Sequence, residues 1–156
     1  MADIYLVRHG SNDYLGKALA GRVPSVHLNE QGRAEAERLA AALANKGIQR
    51  IFSSPLERSR ETAAPLARRL GLTVEISEEI HEVDFGDWAG KTMADLQSLD
   101  AWKLFNTYRS GAPIPNGETM LNIQGRMVAF LEKLRRDPAN RTFALFSHGD
   151  PIRAAL

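Results

Sequence analysis

Short apolar runs alternate along the chain with longer segments of helical periodicity, and this alternation constrains the fold more than any other feature. The apolar runs are residues 4–7, 51–52, 72–76 and 142–146. Strands that alternate with helices in this way form a largely parallel sheet with helices packed on its faces. We therefore predict an α/β fold, a three-layer sandwich around a mostly parallel central sheet. The 156 residues contain no linker or repeat, so they form one domain.

Capping residues and helix breakers set the predicted helix ends. Asn29 is predicted to cap a helix that stops at Gly47, and Ser54 to cap a second helix that ends at Gly71. The remaining predictions are a loop over residues 78–90, helical structure over 92–108 and 118–136, and a short final helix from residue 150.

Two histidines follow predicted strands in matching contexts. His9 lies between Arg8 and Gly10 after the first strand, and His148 precedes Gly149 after the last one. Functional groups of a parallel sheet gather beyond the carboxyl ends of its strands, so the two imidazoles meet if these strands are neighbours. A glycine beside each histidine lets the backbone approach a ligand closely. One histidine at a strand end is more often structural than catalytic, but this pair favours a functional site.

Metal binding and phosphoryl transfer are the two chemistries that suit paired imidazoles beside an arginine. The chain has no cysteine and no HxH or HxxxH spacing, and a guanidinium would repel a divalent cation. In phosphoryl transfer one imidazole attacks phosphorus, while arginine and the second imidazole neutralise the phosphate oxygens. We therefore expect phosphoryl transfer without a metal or another cofactor.

Four motifs in order along the chain resemble those of the histidine phosphatase superfamily, which has a phosphoglycerate mutase-like fold. They are LVRHG at 6–10, SSPLERSRETA at 53–63, EVDFGDWAG at 82–90 and SHG at 147–149. The resemblance covers nearly the whole chain. It implies that His9 accepts the phosphoryl group and that Glu82 protonates the leaving oxygen. The implied phosphate pocket consists of Arg8, Arg58 and His148.

The chain departs from the family pattern beside the nucleophile. Many members place an asparagine six residues after that histidine, where this chain has Leu15. Asn12 or Arg22 is a candidate to take over the contact with phosphate. We also expect Gly21 and Gly149 to contribute to substrate binding.

The resemblance implies an enzyme but leaves its reaction open. The first interpretation is a phosphatase that hydrolyses a small phosphomonoester through a phosphohistidine intermediate. A phosphoglycerate mutase-like phosphomutase is the alternative, because residues 19–29 are similar to a subgroup with that description. The 66 positions from Glu82 to His148 leave little for a lid, which favours the phosphatase. A non-catalytic phosphate-binding module is a third hypothesis, motivated by Leu15.

Charge and hydropathy indicate the expected partners and location. Lys and Arg total 20 and Asp and Glu total 19, so the chain lacks the large excess of basic residues that is typical of a nucleic-acid-binding protein. No segment is apolar enough for a signal peptide or a membrane span, so we expect a cytoplasmic protein that binds a small phosphorylated metabolite. The short final helix predicts either that the 1–156 domain lacks its C-terminal portion, which we favour, or that a second copy covers it in a homodimer.

Overall fold

Parallel strands form the centre of the molecule in a computed structural model that describes residues 2–139 and 141–156. The strands are β1 (Asp3–Arg8), β2 (Ile48–Ser53), β3 (Val74–Ile76) and β4 (Thr142–Ser147). Their order is β1-β4-β2-β3, and every pairing is parallel. The register places Arg8 opposite Ser147. The predicted parallel sheet is confirmed, and the two strands that precede the histidines are neighbours.

Helices connect these strands and cover the sheet. They are α1 (Glu30–Leu43), α2 (Glu57–Leu70), α3 (Met93–Gln97), α4 (Asp100–Thr107), α5 (Met120–Arg135) and α6 (Gly149–Ala155). The predicted loop over 78–90 contains two 3-10 turns, Glu78–Ile80 and Gly86–Trp88. In the part of the chain that the structure describes, no helix is long and apolar enough to cross a membrane.

The sheet separates two hydrophobic cores, because successive residues of a strand point to opposite faces. In β4, Phe143 and Leu145 pack into the core formed with α3, α4 and α5. Ala144 and Phe146 pack into the core formed with α1 and α2. The three-layer α/β sandwich is therefore confirmed.

Two of the predicted helix ends agree with the structure, and a third differs from it. The Asn29 side chain accepts a hydrogen bond from the Gly32 N–H at 2.9 Å, and Gly71 ends α2 in the left-handed conformation, as predicted. The predicted cap at Ser54 is wrong, because α2 begins at Glu57 and no side chain caps it. The Ser54 hydroxyl instead lies 2.7 Å from Nε2 of His148.

Candidate active site

A cavity of about 210 Å³ lies where β1 ends and brings the predicted catalytic residues together. Arg8, His9, Arg58 and Glu82 line it. His148 lies beside them, with its ring centroid 5.2 Å from that of His9. A larger groove of about 410 Å³ between α1 and α2 contains none of these residues.

Hydrogen bonding leaves one nitrogen of His9 free. Its Nδ1 lies 2.8 Å from the carbonyl oxygen of Gly10, and a carbonyl only accepts, so Nδ1 carries the hydrogen. Burial lowers the pKa of His9 to about 4, and the positive charges of Arg58 and Arg8 act in the same direction. The imidazole is therefore neutral near pH 7, with an unprotonated Nε2 that can act as a nucleophile.

The loop after this histidine is held by the two helices of the adjacent layer. The Gly10 N–H donates to Oγ1 of Thr62 in α2 at 3.0 Å, and the Ser11 N–H donates to the Glu35 carboxylate of α1 at 2.8 Å. A Cβ at Gly32 would lie 2.0 Å from the Ser11 carbonyl oxygen, so α1 approaches as closely as it does only with glycine there. Both helices therefore fix the position of the loop that follows His9.

Arg58 presents unpaired hydrogen-bond donors from a buried cation. Its side chain is 1% exposed, and Nη2 donates to the Gly21 carbonyl at 2.7 Å. Nη2 also lies 3.9 Å from Oε2 of Glu82. Among the described residues, nothing pairs with its Nε and Nη1. A buried guanidinium with unpaired N–H donors on two of its nitrogens is suited to bind an anion such as phosphate.

His148 forms its hydrogen bonds through Nε2, whereas His9 uses Nδ1. Nε2 lies 2.7 Å from the Ser54 hydroxyl and 3.4 Å from that of Ser59. Nδ1 is buried, has no hydrogen-bond partner within the described ranges, and lies 3.6 Å from Oε2 of Glu82. Burial lowers the pKa of His148 well below its ordinary value. A neutral ring whose Nε2 accepts from Ser54 carries its hydrogen on Nδ1, where it can donate to an anion.

Glu82 is a buried carboxyl group that exchanges protons near neutral pH. Burial raises its pKa to about 7, although the Val83 N–H donates to Oε1 at 2.8 Å and Arg58 is nearby. Both the neutral and the ionised form are therefore populated near pH 7, which suits a general acid and base. Of the acidic side chains in residues 78–87, Glu82 lines the cavity, whereas Asp84 accepts from the Gly86 N–H.

A cluster of charged side chains holds the main chain of Glu82. Arg22 Nε donates to the Glu82 carbonyl at 2.8 Å, and Arg126 Nη2 donates to the same oxygen at 3.3 Å. The Glu118 carboxylate forms salt bridges with both arginines, at 2.8 Å and 3.1 Å. It also accepts from the Asp84 N–H at 3.0 Å. We call Arg22, Glu118 and Arg126 the acid-loop clamp.

Asn12, Gly21 and Leu15 line the cavity. The Asn12 side chain accepts from the Tyr14 N–H at 3.0 Å, and the Gly21 carbonyl accepts from Arg58. Leu15 is 56% exposed. Two of the four residues expected to bind substrate, Asn12 and Gly21, therefore lie in the cavity wall.

The other two expected substrate-binding residues lie outside that wall. Arg22 belongs to the acid-loop clamp, and its guanidinium is engaged there rather than in the cavity. Gly149 begins α6 beside Arg8, where a Cβ would lie 3.6 Å from Nε of the arginine. His81 also stays outside the lining, and its Nδ1 accepts from the Glu82 N–H at 2.8 Å.

Sequence reasoning assigned no site role to Ser54 and Ser59. Both hydroxyls approach Nε2 of His148, and both residues are buried. A signal was present, because small hydroxyl residues recur through the 53–63 motif beside Arg58.

The donors of the site suit an anion. Arg58, whose Nε and Nη1 have no partner among the described residues, lines the cavity together with His9, and the buried His148 lies beside the His9 ring with its Nδ1 also unpartnered. Over residues 2–139 and 141–156 there is no group of three or more His, Asp or Glu side chains that could hold a metal ion. The arrangement can bind a phosphate beside a nucleophile and supply one proton.

Comparison with known proteins agrees with this chemistry. Residues 4–156 match the family model of the histidine phosphatase superfamily (branch 1). Phosphoserine phosphatase 1 of Hydrogenobacter thermophilus is 29% identical over 160 residues, which cover 99% of this chain and 74% of that protein. A probable phosphoglycerate mutase of Yersinia pestis is 33% identical over 159 residues, which cover 100% of this chain and 74% of that protein.

Solved structures of phosphatases share the fold. Phosphoserine phosphatase from Entamoeba histolytica, in complex with phosphoserine, superposes with a TM-score of 0.87 at 27% identity, covering 99% of this chain and 78% of that one. A mycobacterial glucosyl-3-phosphoglycerate phosphatase superposes with a TM-score of 0.84 at 29% identity, covering 96% of this chain and 74% of that one.

Proposed function

Because the chain belongs to the histidine phosphatase superfamily (branch 1), we propose that it hydrolyses a small phosphomonoester through a phosphohistidine at His9. The observation that carries this proposal is the free Nε2 of a neutral His9 beside the unpaired donors of Arg58. The phosphatases among its relatives support the same reaction class.

In the first step, Nε2 of His9 attacks phosphorus and the bond from phosphorus to the leaving oxygen breaks. Neutral Glu82 gives its proton to that oxygen, so the product leaves as an alcohol. Arg8, Arg58 and the Nδ1–H of His148 neutralise the three remaining phosphate oxygens as charge develops on them.

In the second step, water attacks the phosphohistidine. The ionised Glu82 carboxylate takes a proton from the water, the P–N bond breaks and its electron pair returns to Nε2 of His9. Inorganic phosphate leaves and Glu82 is again neutral. A pKa of about 7 lets Glu82 alternate between the two forms.

Trapping the intermediate tests this proposal. With a substrate labelled in its phosphate, wild-type protein quenched within one turnover should carry an acid-labile label, and the His9→Ala variant should carry none and lose turnover. His27→Ala is the matched control, because His27 lies in an exposed ion pair with Glu61 away from the cavity. Full activity of the folded His9→Ala variant would contradict the proposal.

A phosphomutase is the second candidate, since one of the relatives is named as a probable phosphoglycerate mutase. The phosphatase is favoured because the interval from Glu82 to His148 contains α3, α4 and α5, which anchor buried side chains in the core instead of forming a free lid. Water then has access to the intermediate. With 3-phosphoglycerate and a bisphosphorylated primer, isomerisation much faster than phosphate release would identify a mutase.

We further propose that the enzyme works in the cytoplasm on a small phosphorylated metabolite and needs no metal. The near balance of acidic and basic residues and the anion-binding donor set support this proposal. Cell fractionation tests the location, and activity that persists after treatment with EDTA tests the metal requirement.

A further inference from the structure

Apolar side chains form much of the cavity wall beyond the reacting groups. They are Leu15, Leu19, Phe85 and Met93 with the smaller Ala18 and Ala20, and Tyr14 lies in the same wall. Phe85 is part of the hydrophobic core, and Leu19 and Met93 pack against that core. A leaving group bound at phosphorus therefore meets hydrocarbon on this side.

Backbone hydrogen bonds hold this apolar wall in place. The Leu19 N–H donates to the Lys91 carbonyl at 2.9 Å, and the Gly90 N–H donates back to the Leu19 carbonyl at 2.8 Å. The Met93 N–H donates to the Lys17 carbonyl at 3.0 Å. The two segments behave as a small antiparallel pair, so the wall is formed before substrate binds.

The proposed reaction already uses the cationic side chains of the cavity wall. Arg8 and Arg58 are assigned to the phosphate oxygens, and Glu82 is assigned to proton transfer. Asp150 accepts from Nη1 of Arg109 at 2.6 Å. Among the described residues that line the cavity, no further cation is available for a carboxylate on the leaving group. Burying such a carboxylate without a partner is strongly unfavourable.

We propose that this cavity selects phosphomonoesters of uncharged, apolar alcohols, such as alkyl or aryl phosphates. The proposal rests on the proposed phosphatase function and specifies its substrate class. Leu15 is 56% exposed, so it offers hydrocarbon surface that a bound alkyl chain would cover. Each methylene group that is buried contributes about 0.8 kcal/mol, which corresponds to roughly a fourfold increase in kcat/KM.

A series of n-alkyl phosphates from methyl to butyl tests the selectivity. The value of kcat/KM should rise about fourfold per methylene, and butyl phosphate should exceed phosphoserine, phosphoethanolamine and 3-phosphoglycerate by about tenfold or more. A flat series, or faster hydrolysis of any of the three charged esters, would overturn the proposed selectivity and leave the phosphatase function intact. Absence of turnover with every ester, phenyl phosphate included, would instead remove the phosphatase function and the selectivity with it.

Changes at Leu15 test whether this wall is the cause. Leu15→Arg places a cation beside the leaving group and should shift the ratio of butyl phosphate to 3-phosphoglycerate turnover about tenfold toward the acid. Leu15→Met is the matched control, because it retains an apolar side chain of similar volume and should leave the ratio within about twofold. An unchanged ratio in a folded Leu15→Arg variant would contradict a role for this wall.

Discussion

His148 is buried and His9 is partly buried, and both lie near Arg58, yet their hydrogen bonds to the described residues leave opposite ring nitrogens without a partner. A carbonyl oxygen beside Nδ1 of His9 leaves a lone pair on Nε2. At His148 the Ser54 hydroxyl contacts Nε2, and Nδ1 has no hydrogen-bond partner among the described residues. In the proposed reaction, one residue type thus supplies both a nucleophile and a donor to phosphate, according to which ring nitrogen is left without a partner.

Replacing Glu82 should affect substrates according to their leaving groups. In Glu82→Gln, kcat/KM for an alkyl phosphate should fall by about 10²–10⁴, because the leaving alkoxide needs a proton. The loss for p-nitrophenyl phosphate should be much smaller, since its phenolate leaves without one. Steady-state kinetics with both substrates measure the difference, and equal losses would contradict general-acid catalysis by Glu82.

The pH dependence of kcat/KM is a second test of proton transfer from Glu82. In the wild type, kcat/KM for an alkyl phosphate should fall as the pH rises above about 7, because neutral Glu82 disappears. It should also fall below about 4, where His9 becomes protonated. Only the upper limb should vanish in Glu82→Gln.

At the scale of elements, the segment that carries Glu82 depends on its neighbours. Two short 3-10 turns are its regular structure, so few of its own backbone bonds fix it. The acid-loop clamp ties it to α5 through Arg126, which donates to the carbonyl oxygens of both Glu79 and Glu82. A helix of 16 residues thereby positions the proposed proton donor, Glu82, which it does not carry.

Removing Arg126 should disturb proton transfer more than phosphate binding. In Arg126→Met, kcat/KM for an alkyl phosphate should drop about tenfold, while that for p-nitrophenyl phosphate stays within about twofold. The positive charge of Arg126 lowers the pKa of Glu82, so the upper limb of the pH profile should move to higher pH in this variant.

Arg135→Met is the matched control for this variant. Arg135 lies on the same helix, but its guanidinium is paired with Glu132 on the surface. It should leave both substrates and the pH profile unchanged. Equal losses on the two substrates with an unmoved pH profile would indicate that Arg126 acts only on stability.

The strands, most helices and the grouping of the catalytic residues could be predicted, because local periodicity and ordered motifs carry that information. The start of α2 could not, because Ser54 has the local signature of a cap while its hydroxyl contacts a histidine 94 positions away. The acid-loop clamp was missed for the same reason. Glu118 is 34 positions from the Asp84 N–H that it accepts from, and no local pattern links them.

At the scale of the whole molecule, the three layers create the site by removing water from the end of the sheet. Arg58 and His148 are among the buried polar side chains, and burial shifts the pKa of both downward. Burial also raises the pKa of Glu82. Burial thus favours neutral His148 and neutral Glu82, the forms from which the proposed reaction starts, whereas Arg58 remains a cation whose burial lowers the stability of the fold.

The raised pKa of Glu82 should therefore make the free energy of unfolding depend on pH. Its pKa is raised in the folded state from 4.5 to about 7, so stability that is present below pH 4.5 is lost as the pH rises through about 7. Glu82→Gln cannot ionise. The variant should thus become more stable relative to the wild type across this interval, by up to about 3 kcal/mol.

Chemical denaturation of both proteins between pH 4.5 and 8 measures this difference. The Glu132→Gln variant is the control for this difference in the free energy of unfolding. Arg135 lowers the pKa of Glu132 below its ordinary value of 4.5, so the stability difference of that variant develops as the pH rises toward 4.5 and should stay nearly constant between pH 4.5 and 8. A Glu82→Gln difference that stays constant from pH 4.5 to 8 would mean that the carboxyl titrates alike in both states. Glu82 could then not serve as a proton donor poised near neutral pH, because burial would not be holding it in the neutral form.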